Sequence, residues 1–389
     1  MKNNVGGLEK KFCNMCGTCI SICPVGALSV KDNRIVADEE KCIECGMCKK
    51  VCQGIFIDRN KIEEKIFLDK KDDKIGVFRS VFLAKSNNKD IRSKTSSGGF
   101  ITSLLLELMD KKVINKAVVV EMNGSKIWAK IAKTKKEIKE CAQSKYSIVT
   151  LNHLLKEVDE KTAIVGLPCH IDGLRKYQSL KKIKTGPVIG LFCGFNLEFE
   201  ATKYLVSKLG VKEKDIKSIE YRGGEWPGGF LVKTKQGEEK FIPKEGYNFI
   251  FPLFIPDRCL TCTNLTSELA DISVGDYWLE KGWSSVIVRS KKGEEIFNLL
   301  KNIDKKKISE KEIHKSHEHL FRYKKRGAYL RMKMMNAKTS PYKEIKFNLR
   351  DYISYIIFMT IRSPLVSFIV KKMPLRLLIF ASRFAKKAI

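Results

Sequence analysis

Eight cysteines near the start of the sequence are spaced for iron–sulfur chemistry. Cys13, Cys16, Cys19 and Cys23, followed by Pro24, read C-x2-C-x2-C-x3-C-P. Cys42, Cys45, Cys48 and Cys52 repeat the spacing, with Gln53 where the proline would stand. Two-residue gaps let the backbone curl around a cube of iron and sulfide, and Gly17 and Gly46 permit that curl without a side-chain clash. In such a duplicated run three thiolates of each cube come from one repeat and the fourth from the other. That rule groups Cys13, Cys16, Cys19 and Cys52 around one [4Fe–4S] cluster and Cys42, Cys45, Cys48 and Cys23 around a second. Structural zinc is the competing use of Cys-x2-Cys units, but this duplicated eight-cysteine spacing disfavours it.

Further along, Cys169 follows the apolar run Ala163–Pro168, Cys193 closes Pro187–Phe192, and Cys259 and Cys262 form another Cys-x2-Cys after Pro256. Each alone reads equally as a small buried apolar residue. With eight cysteines assigned and only Cys141 otherwise left over, the count favours a third four-thiolate cluster. Thirteen cysteines, an odd number in a long chain, argue against a secreted disulfide scaffold and for metal ligation in a reducing cytosol. Ser96, Ser97, Gly98 and Gly99 precede an apolar helix from Phe100; hydroxyls there can cap the helix, and glycines let its amides approach a phosphate. Many helices begin this way without binding anything. His314, His317 and His319 have no thiolate or carboxylate framework around them and read as surface residues.

The elements that must position these groups fall into four segments. Residues 1–57 form an α+β module of the bacterial ferredoxin type, with strands Ala27–Val30 and Arg34–Ala37 around the turn Lys31–Asp32–Asn33. Residues 58–75 are charged and lysine-rich and read as a linker. Residues 76–340 alternate short apolar runs (Ala117–Val120, Ala163–Gly166, Pro187–Phe192) with helical stretches, including Phe100–Asp110 and Leu151–Asp159. That alternation predicts an α/β body with a mostly parallel sheet and ligands gathered at the carboxyl ends of its strands. Phe230–Lys235 and Lys240–Ile242 flank the turn Gln236–Gly237 as an additional small β region, preceded by a glycine-rich loop carrying Arg222 and Trp226. Asp271–Asp276 and Ser285–Arg289 are two more strand candidates.

Residues 341–389 read as a basic amphipathic extension. Tyr352–Val370 is apolar but interrupted by Arg362 and Pro364, which a clean spanning helix would not place in mid-segment. A helix lying on an anionic membrane face suits the pattern, with docking onto a partner or onto the body as alternatives. The 389 residues carry a formal charge of +30. Three clusters would lower this to roughly +24, still basic enough to attract an acidic partner, an anionic cofactor or a membrane. No nucleic-acid-binding motif accompanies the charge, so nucleic acid is not an expected partner. Met1–Lys11 is polar with no apolar core, so no signal peptide is expected and the expected location is cytoplasmic, with peripheral contact at the inner face of the membrane.

Taken together, the motifs resemble the family of coenzyme F420 hydrogenase/dehydrogenase beta subunits. The resemblance runs from about Lys94 to Lys324, with the ferredoxin module as an N-terminal addition. It rests on Ser97–Gly98–Gly99, Ser144–Lys145–Tyr146, Val165–Gly166–Leu167–Pro168–Cys169, Gly190–Leu191–Phe192–Cys193, Cys259–Leu260–Thr261–Cys262 and Asp271–Ile272–Ser273–Val274–Gly275–Asp276. It implies a flavin-binding body with its own [4Fe–4S] cluster on Cys169, Cys193, Cys259 and Cys262. It also implies FAD contacts from Ser96, Ser97, Gly98 and Gly99, with Ser144, Lys145, Tyr146, Gly166 and Pro168 nearby. Two departures stand out: His170, where many members carry glutamine, and the extension beyond Pro341.

The expected function is an FAD-dependent iron–sulfur oxidoreductase with three clusters, fed by reduced coenzyme F420 or ferredoxin and serving a second redox partner or an organic substrate. The alternative is a non-catalytic electron-relay subunit of a larger redox complex.

Overall fold

The computed structural model describes residues 3–380 apart from 68, 70, 249 and 342–344. Residues 68 and 70 of the expected linker, and 342–344 and 381–389 of the expected basic extension, therefore lie outside the described residues.

Each N-terminal cysteine loop runs into a one-turn helix, Thr18–Ile22 and Met47–Val51. The residues before them, Gly17 (φ 87°) and Gly46 (φ 68°), occupy the left-handed region that favours glycine. Between the loops lies the expected hairpin, Leu28–Lys31 paired antiparallel with Arg34–Ala37. Its two turn residues, Asp32 and Asn33, both have positive φ, the geometry that matches strand twist in a two-residue turn.

The stretch 58–75 departs from the linker expectation. Arg59–Ile66 is a helix whose first turn is capped by the Asp58 carboxylate accepting from the Lys61 amide. Arg59 and Glu63, one turn apart, are both buried. The Arg59 guanidinium donates to Asp172 through Nε (2.9 Å) and to Thr263 Oγ1 (2.8 Å). Its charge density resembles a solvated segment; the buried Asp172 that neutralises Arg59 lies 113 residues away.

The body is built on eight strands in the order Ile303–Ile308, Ser80–Ser86, Ser284–Val288, Ile272–Asp276, Val188–Leu191, Thr162–Gly166, Lys116–Asn123, Lys126–Ala132. The expectation of a mostly parallel sheet holds for the central four, from Ile272–Asp276 to Lys116–Asn123. Both flanks are antiparallel. Short connections account for two of these pairings, since Tyr277–Trp283 and the tight turn at Gly124 leave no room for the crossover that parallel strands need; Ser80–Ser86 pairs antiparallel with both its neighbours across far longer connections. A separate three-stranded antiparallel sheet, Ile216–Gly223, Gly229–Thr234 and Glu239–Pro243, forms the small β region. The Leu151–Asp159 helix is instead a 3-10 stretch, Leu151–Lys156.

Helix Phe100–Asp110 covers one face of the sheet, with Leu104 and Leu108 packed near Ile189 and Phe297. Helix Pro168–Lys181 belongs to a second core, where its Ile171 and Leu174 join Ile22 and Val51 of the N-terminal module. The module and the body thus share one core. Their seam is polar as well as apolar. Asn152 donates its amide N–H to the Cys16 carbonyl (2.8 Å) and its side chain to Thr18 Oγ1 (2.8 Å).

The chain then forms helices Leu349–Arg362 and Pro364–Lys372, bent by 67° at the break. Among the described residues no single helix is long and apolar enough to cross a membrane.

Candidate metal centres and cofactor loops

The two N-terminal cysteine runs cross. Cys13, Cys16 and Cys19 ring a cavity together with Cys52 from the second run. Cys42, Cys45 and Cys48 ring another together with Cys23 from the first. Burial pushes the Cys13 thiol up to about 11 and raises Cys16 and Cys19 as well, with their neighbours' charges adding to it. Among the described residues no three His, Cys, Asp or Glu side chains are placed to hold a single metal ion. Four thiols around each cavity are the ligand number that a cube of several irons needs.

The other four cysteines also converge. Cys169 is the second residue of helix Pro168–Lys181, which starts two residues beyond strand Thr162–Gly166; Pro168 fills the first helical position, where no amide hydrogen is needed. Gly166 ends the strand where a side chain would meet His170, since an added Cβ would stand 2.9 Å from the His170 Cβ. Cys193 follows strand Val188–Leu191 and donates its amide to the Leu265 carbonyl (2.8 Å). Cys259 lies in the short helix Asp257–Leu260, and the Cys262 amide turns back to the Cys259 carbonyl (3.3 Å). Burial raises Cys169 well above the usual thiol range, and the nearby Cys193 and Cys16 add to it. Burial likewise carries Cys193 up to about 12.

Cys262 goes the other way. Burial opposes its thiolate, but Lys324, Arg258 and Arg59 overcome that and bring the thiol down to about 7. Burial also works against the Lys324 ammonium, yet the thiolates of Cys262, Cys193 and Cys259 hold its pKa above the usual value. Arg258 and Lys324 are 2% and 1% exposed. Buried cations need buried anions, and a four-thiolate cluster carries about −2 in its oxidised state. This donor set therefore fits an anionic cluster better than four neutral thiols.

Sequence reading missed Lys324, which sits in a basic π-helical turn, Arg322–Gly327. It also missed Arg258, which donates to the Gln53 carbonyl and side chain (both 3.4 Å), so the residue replacing the second proline ties the module to the third thiol set. Cys141 stays apart from all three sets; burial raises its thiol to about 11.

His170 is buried and neutral. Burial lowers it to about 4. Its Nδ1 accepts from the Leu167 amide (3.2 Å), which leaves the proton on Nε2, facing the Val149 carbonyl (3.1 Å). It holds the start of the helix that carries Cys169. The three downstream histidines differ from the surface expectation: His319 is exposed, His314 is half-buried on Asp72 (3.0 Å), and His317 is 2% exposed, edge-on to Phe192. They occupy a helical segment whose inner face packs on the sheet, so successive histidines alternate between core and solvent.

The serine–glycine motif makes inward contacts. Ser97 Oγ donates to the Trp283 carbonyl (2.8 Å), and the Gly98 amide donates to Ser284 Oγ (3.1 Å). Gly98 must lack a side chain because an added Cβ would stand 2.7 Å from the Ala84 carbonyl oxygen. Gly99, with φ 72°, starts the helix. Ser96 Oγ accepts from the Ser144 amide (2.9 Å), joining two of the expected cofactor motifs. Lys145 bonds the carbonyls of Cys141 and Ala142, and burial lowers its pKa to about 8. Tyr146 meets Arg222 (3.4 Å).

Arg222 is the hub. Its guanidinium also donates to Asp276 (2.6 Å), the Pro227 carbonyl (2.7 Å) and the Ser96 carbonyl (3.3 Å), and it lies 4.9 Å from the Trp278 ring. Lys244 Nζ sits 3.5 Å from the same ring, and Trp226 is 6.3 Å from it. The glycine-rich loop around Arg222 was the available sequence signal for this cluster; its partners were not visible without the fold.

Thiol-ringed cavities in a two-repeat module, joined to a mixed α/β body with further converging cysteines, define a 4Fe–4S electron-transfer protein of the oxidoreductase class. Residues 7–65 match the 4Fe-4S dicluster domain, residues 81–156 the coenzyme F420 hydrogenase/dehydrogenase beta subunit N-term, and residues 159–316 its C terminus. The chain belongs to the family of coenzyme F420 hydrogenase/dehydrogenase beta subunits. It is 30% identical over 316 residues to the coenzyme F420-dependent sulfite reductase of Methanocaldococcus jannaschii, covering 75% of this chain but only 46% of that protein. It is 27% identical to an F(420)H(2) dehydrogenase subunit of Methanosarcina mazei (76% of this chain, 84% of that one) and 27% identical to the coenzyme F420 hydrogenase subunit beta of Methanococcus voltae (59% and 86%). A chain of the F420-reducing [NiFe] hydrogenase complex from Methanosarcina barkeri shares the fold, with a TM-score of 0.56 and 23% identity over 68% of this chain and 96% of that one.

Proposed function

We propose that this chain is an iron–sulfur flavoprotein oxidoreductase that moves electrons between three [4Fe–4S] clusters and FAD. Reduced coenzyme F420 is the two-electron partner and a ferredoxin-like carrier the one-electron partner, in a reducing cytoplasm. The observation that carries the reading is the succession of three four-thiol sets. Cys48 lies close enough to raise the Cys19 thiol across the two N-terminal cavities, and Cys16 close enough to raise that of Cys169 across the seam to the body. In this reading Cys23, Cys42, Cys45 and Cys48 hold the outer cluster. Cys13, Cys16, Cys19 and Cys52 hold the middle one, and Cys169, Cys193, Cys259 and Cys262 the inner one.

FAD, when bound, accepts a hydride and releases electrons singly. The residues proposed to receive it are the loops pinned by Arg222, with Ser96, Tyr146 and the rings of Trp226 and Trp278 converging there. Arg222 holds the loops in register through Asp276 and the Pro227 carbonyl. Lys145 acts as an internal brace in this reading and does not neutralise a phosphate, because its ammonium is spent on two carbonyls. The inward bonding of Ser97, Gly98 and Lys145 favours the second reading, an electron-relay subunit that lacks flavin of its own.

Anaerobic purification with iron, sulfide and flavin quantified, then titration with reduced coenzyme F420 while following flavin absorbance, separates the two. The proposal expects about twelve irons and about one FAD per chain, with bleaching on addition of the donor. Full iron content without flavin overturns it in favour of the relay. Flavin that does not bleach removes coenzyme F420 as the donor.

A further inference from the structure

We infer that the C-terminal helix pair is a docking face for an anionic phospholipid bilayer, on which it lies flat. This goes beyond the redox reading and does not depend on it. The pair has two unlike sides. Its inner side is fastened to the body: Asp351 pairs with Arg326 (2.6 Å), and Arg362 donates to Asp257 (2.6 Å) and to the carbonyls of Pro252 (2.6 Å) and Ile255 (2.8 Å). Val370 is buried against the body, and Lys208 donates to the Met373 carbonyl (2.7 Å). The outer side carries Leu349, Ile353, Ile356 and Ile357 at one-turn spacing, continued past the bend by Leu365 and Phe368. Leu349 and Leu365 are 75% and 71% exposed.

A row of large apolar side chains left in water on an element held by five separate bonds is not a loose tail; it is a surface with a cover missing. Three observations name the cover. Neither helix alone, at 14 and 9 residues, reaches the roughly 20 residues that a crossing needs, and the pair is bent by 67° and pinned to the body at Asp351 and Arg362. Charge points to an anionic surface: after Pro341 the sequence has ten Lys and Arg against two Asp and Glu, and Lys371, Lys372 and Arg376 are exposed beside the apolar row. A second copy of this chain is disfavoured as the cover because each carries a formal charge of +30.

The pins also fix which part of the body faces the bilayer. Arg362 holds Asp257, at the start of the short helix that carries Cys259, and Phe358 packs 6.3 Å from Tyr323, the neighbour of Lys324. The side of the body bearing the third thiol set is therefore the side brought to the lipid surface.

The test is co-sedimentation of the full-length, cofactor-loaded protein with vesicles of phosphatidylcholine containing roughly a third phosphatidylglycerol, against phosphatidylcholine alone. The wild-type chain is expected to pellet with the anionic vesicles, to stay in solution with the neutral ones, and to be released by high salt. The double variant I356E/F368E, both changes on the exposed side, is expected to bind about tenfold or more weakly with its visible cluster spectrum unchanged. Wild-type protein remaining in solution with anionic vesicles overturns the inference, as does a double variant that binds like wild type. A concentration-dependent dimer that I356E/F368E abolishes, with no vesicle binding, overturns it in favour of a second copy.

Discussion

Lys324 is a buried cation placed among three thiols of the third set. It is 1% exposed, and its charge is felt at Cys193, Cys259 and Cys262. A cluster held there, as proposed, would gain one negative charge on reduction, so a fixed buried cation would stabilise the reduced form. Lys324→Met should lower the midpoint potential of the third cluster by on the order of 60 mV, tenfold in a one-electron equilibrium. Lys324→Arg should leave it nearly in place. Redox titration followed by electron paramagnetic resonance reads both, and an unchanged midpoint in Lys324→Met would show that the charge is compensated elsewhere. The N-terminal cysteines were legible in the sequence because their spacing is local. Lys324, Arg258 and Arg59 were not, because a cation's role at a thiol set depends on chain segments that meet only in the fold. For the same reason the histidine run looked uniform in sequence and divides in the structure into one buried, one half-buried and one exposed side chain.

Among the elements, the helix carrying Cys169 is the one against which the N-terminal module is fitted. Gly173 faces Thr18 so closely that an added Cβ would stand 2.2 Å from Thr18 Oγ1, and Asn152 bonds the same hydroxyl. Gly173→Ala should force the two helices apart at a cost of about 1–3 kcal/mol. That would appear as a thermal midpoint several degrees lower at a fixed scan rate. An unaltered midpoint would mean that the seam yields freely. The buried Arg59–Asp172 pair lies at the same junction and explains why the linker expectation failed: a lysine-rich stretch looks solvated until its partner is known. The five inner strands of the sheet were readable from short apolar runs and helix Phe100–Asp110 to the residue, but Ser80–Ser86, Lys126–Ala132 and Ile303–Ile308 towards its edges were not. Strand direction at the sheet edges was not readable either, since a strand's own residues do not record which neighbour it pairs with.

At the scale of the whole molecule, a single core joins the iron–sulfur module to the sheet, and a net charge of +30 surrounds it. Such a surface should speed encounter with an acidic one-electron carrier and lose that advantage as salt screens it. Stopped-flow reduction by an acidic ferredoxin should slow by about tenfold or more from low to physiological ionic strength. A salt-independent rate would place the carrier's docking site on a neutral patch. The crossing of cysteines between distant segments has a further consequence, for the growing chain on the ribosome. The set that includes Cys23 is complete once Cys48 has emerged, and its neighbour closes four residues later at Cys52. Cys169 and Cys193, however, must wait for Cys262. Synthesis therefore imposes an order of maturation, and for the time needed to add some seventy residues the nascent body exposes a half-built pair of thiols to whatever oxidant is at hand.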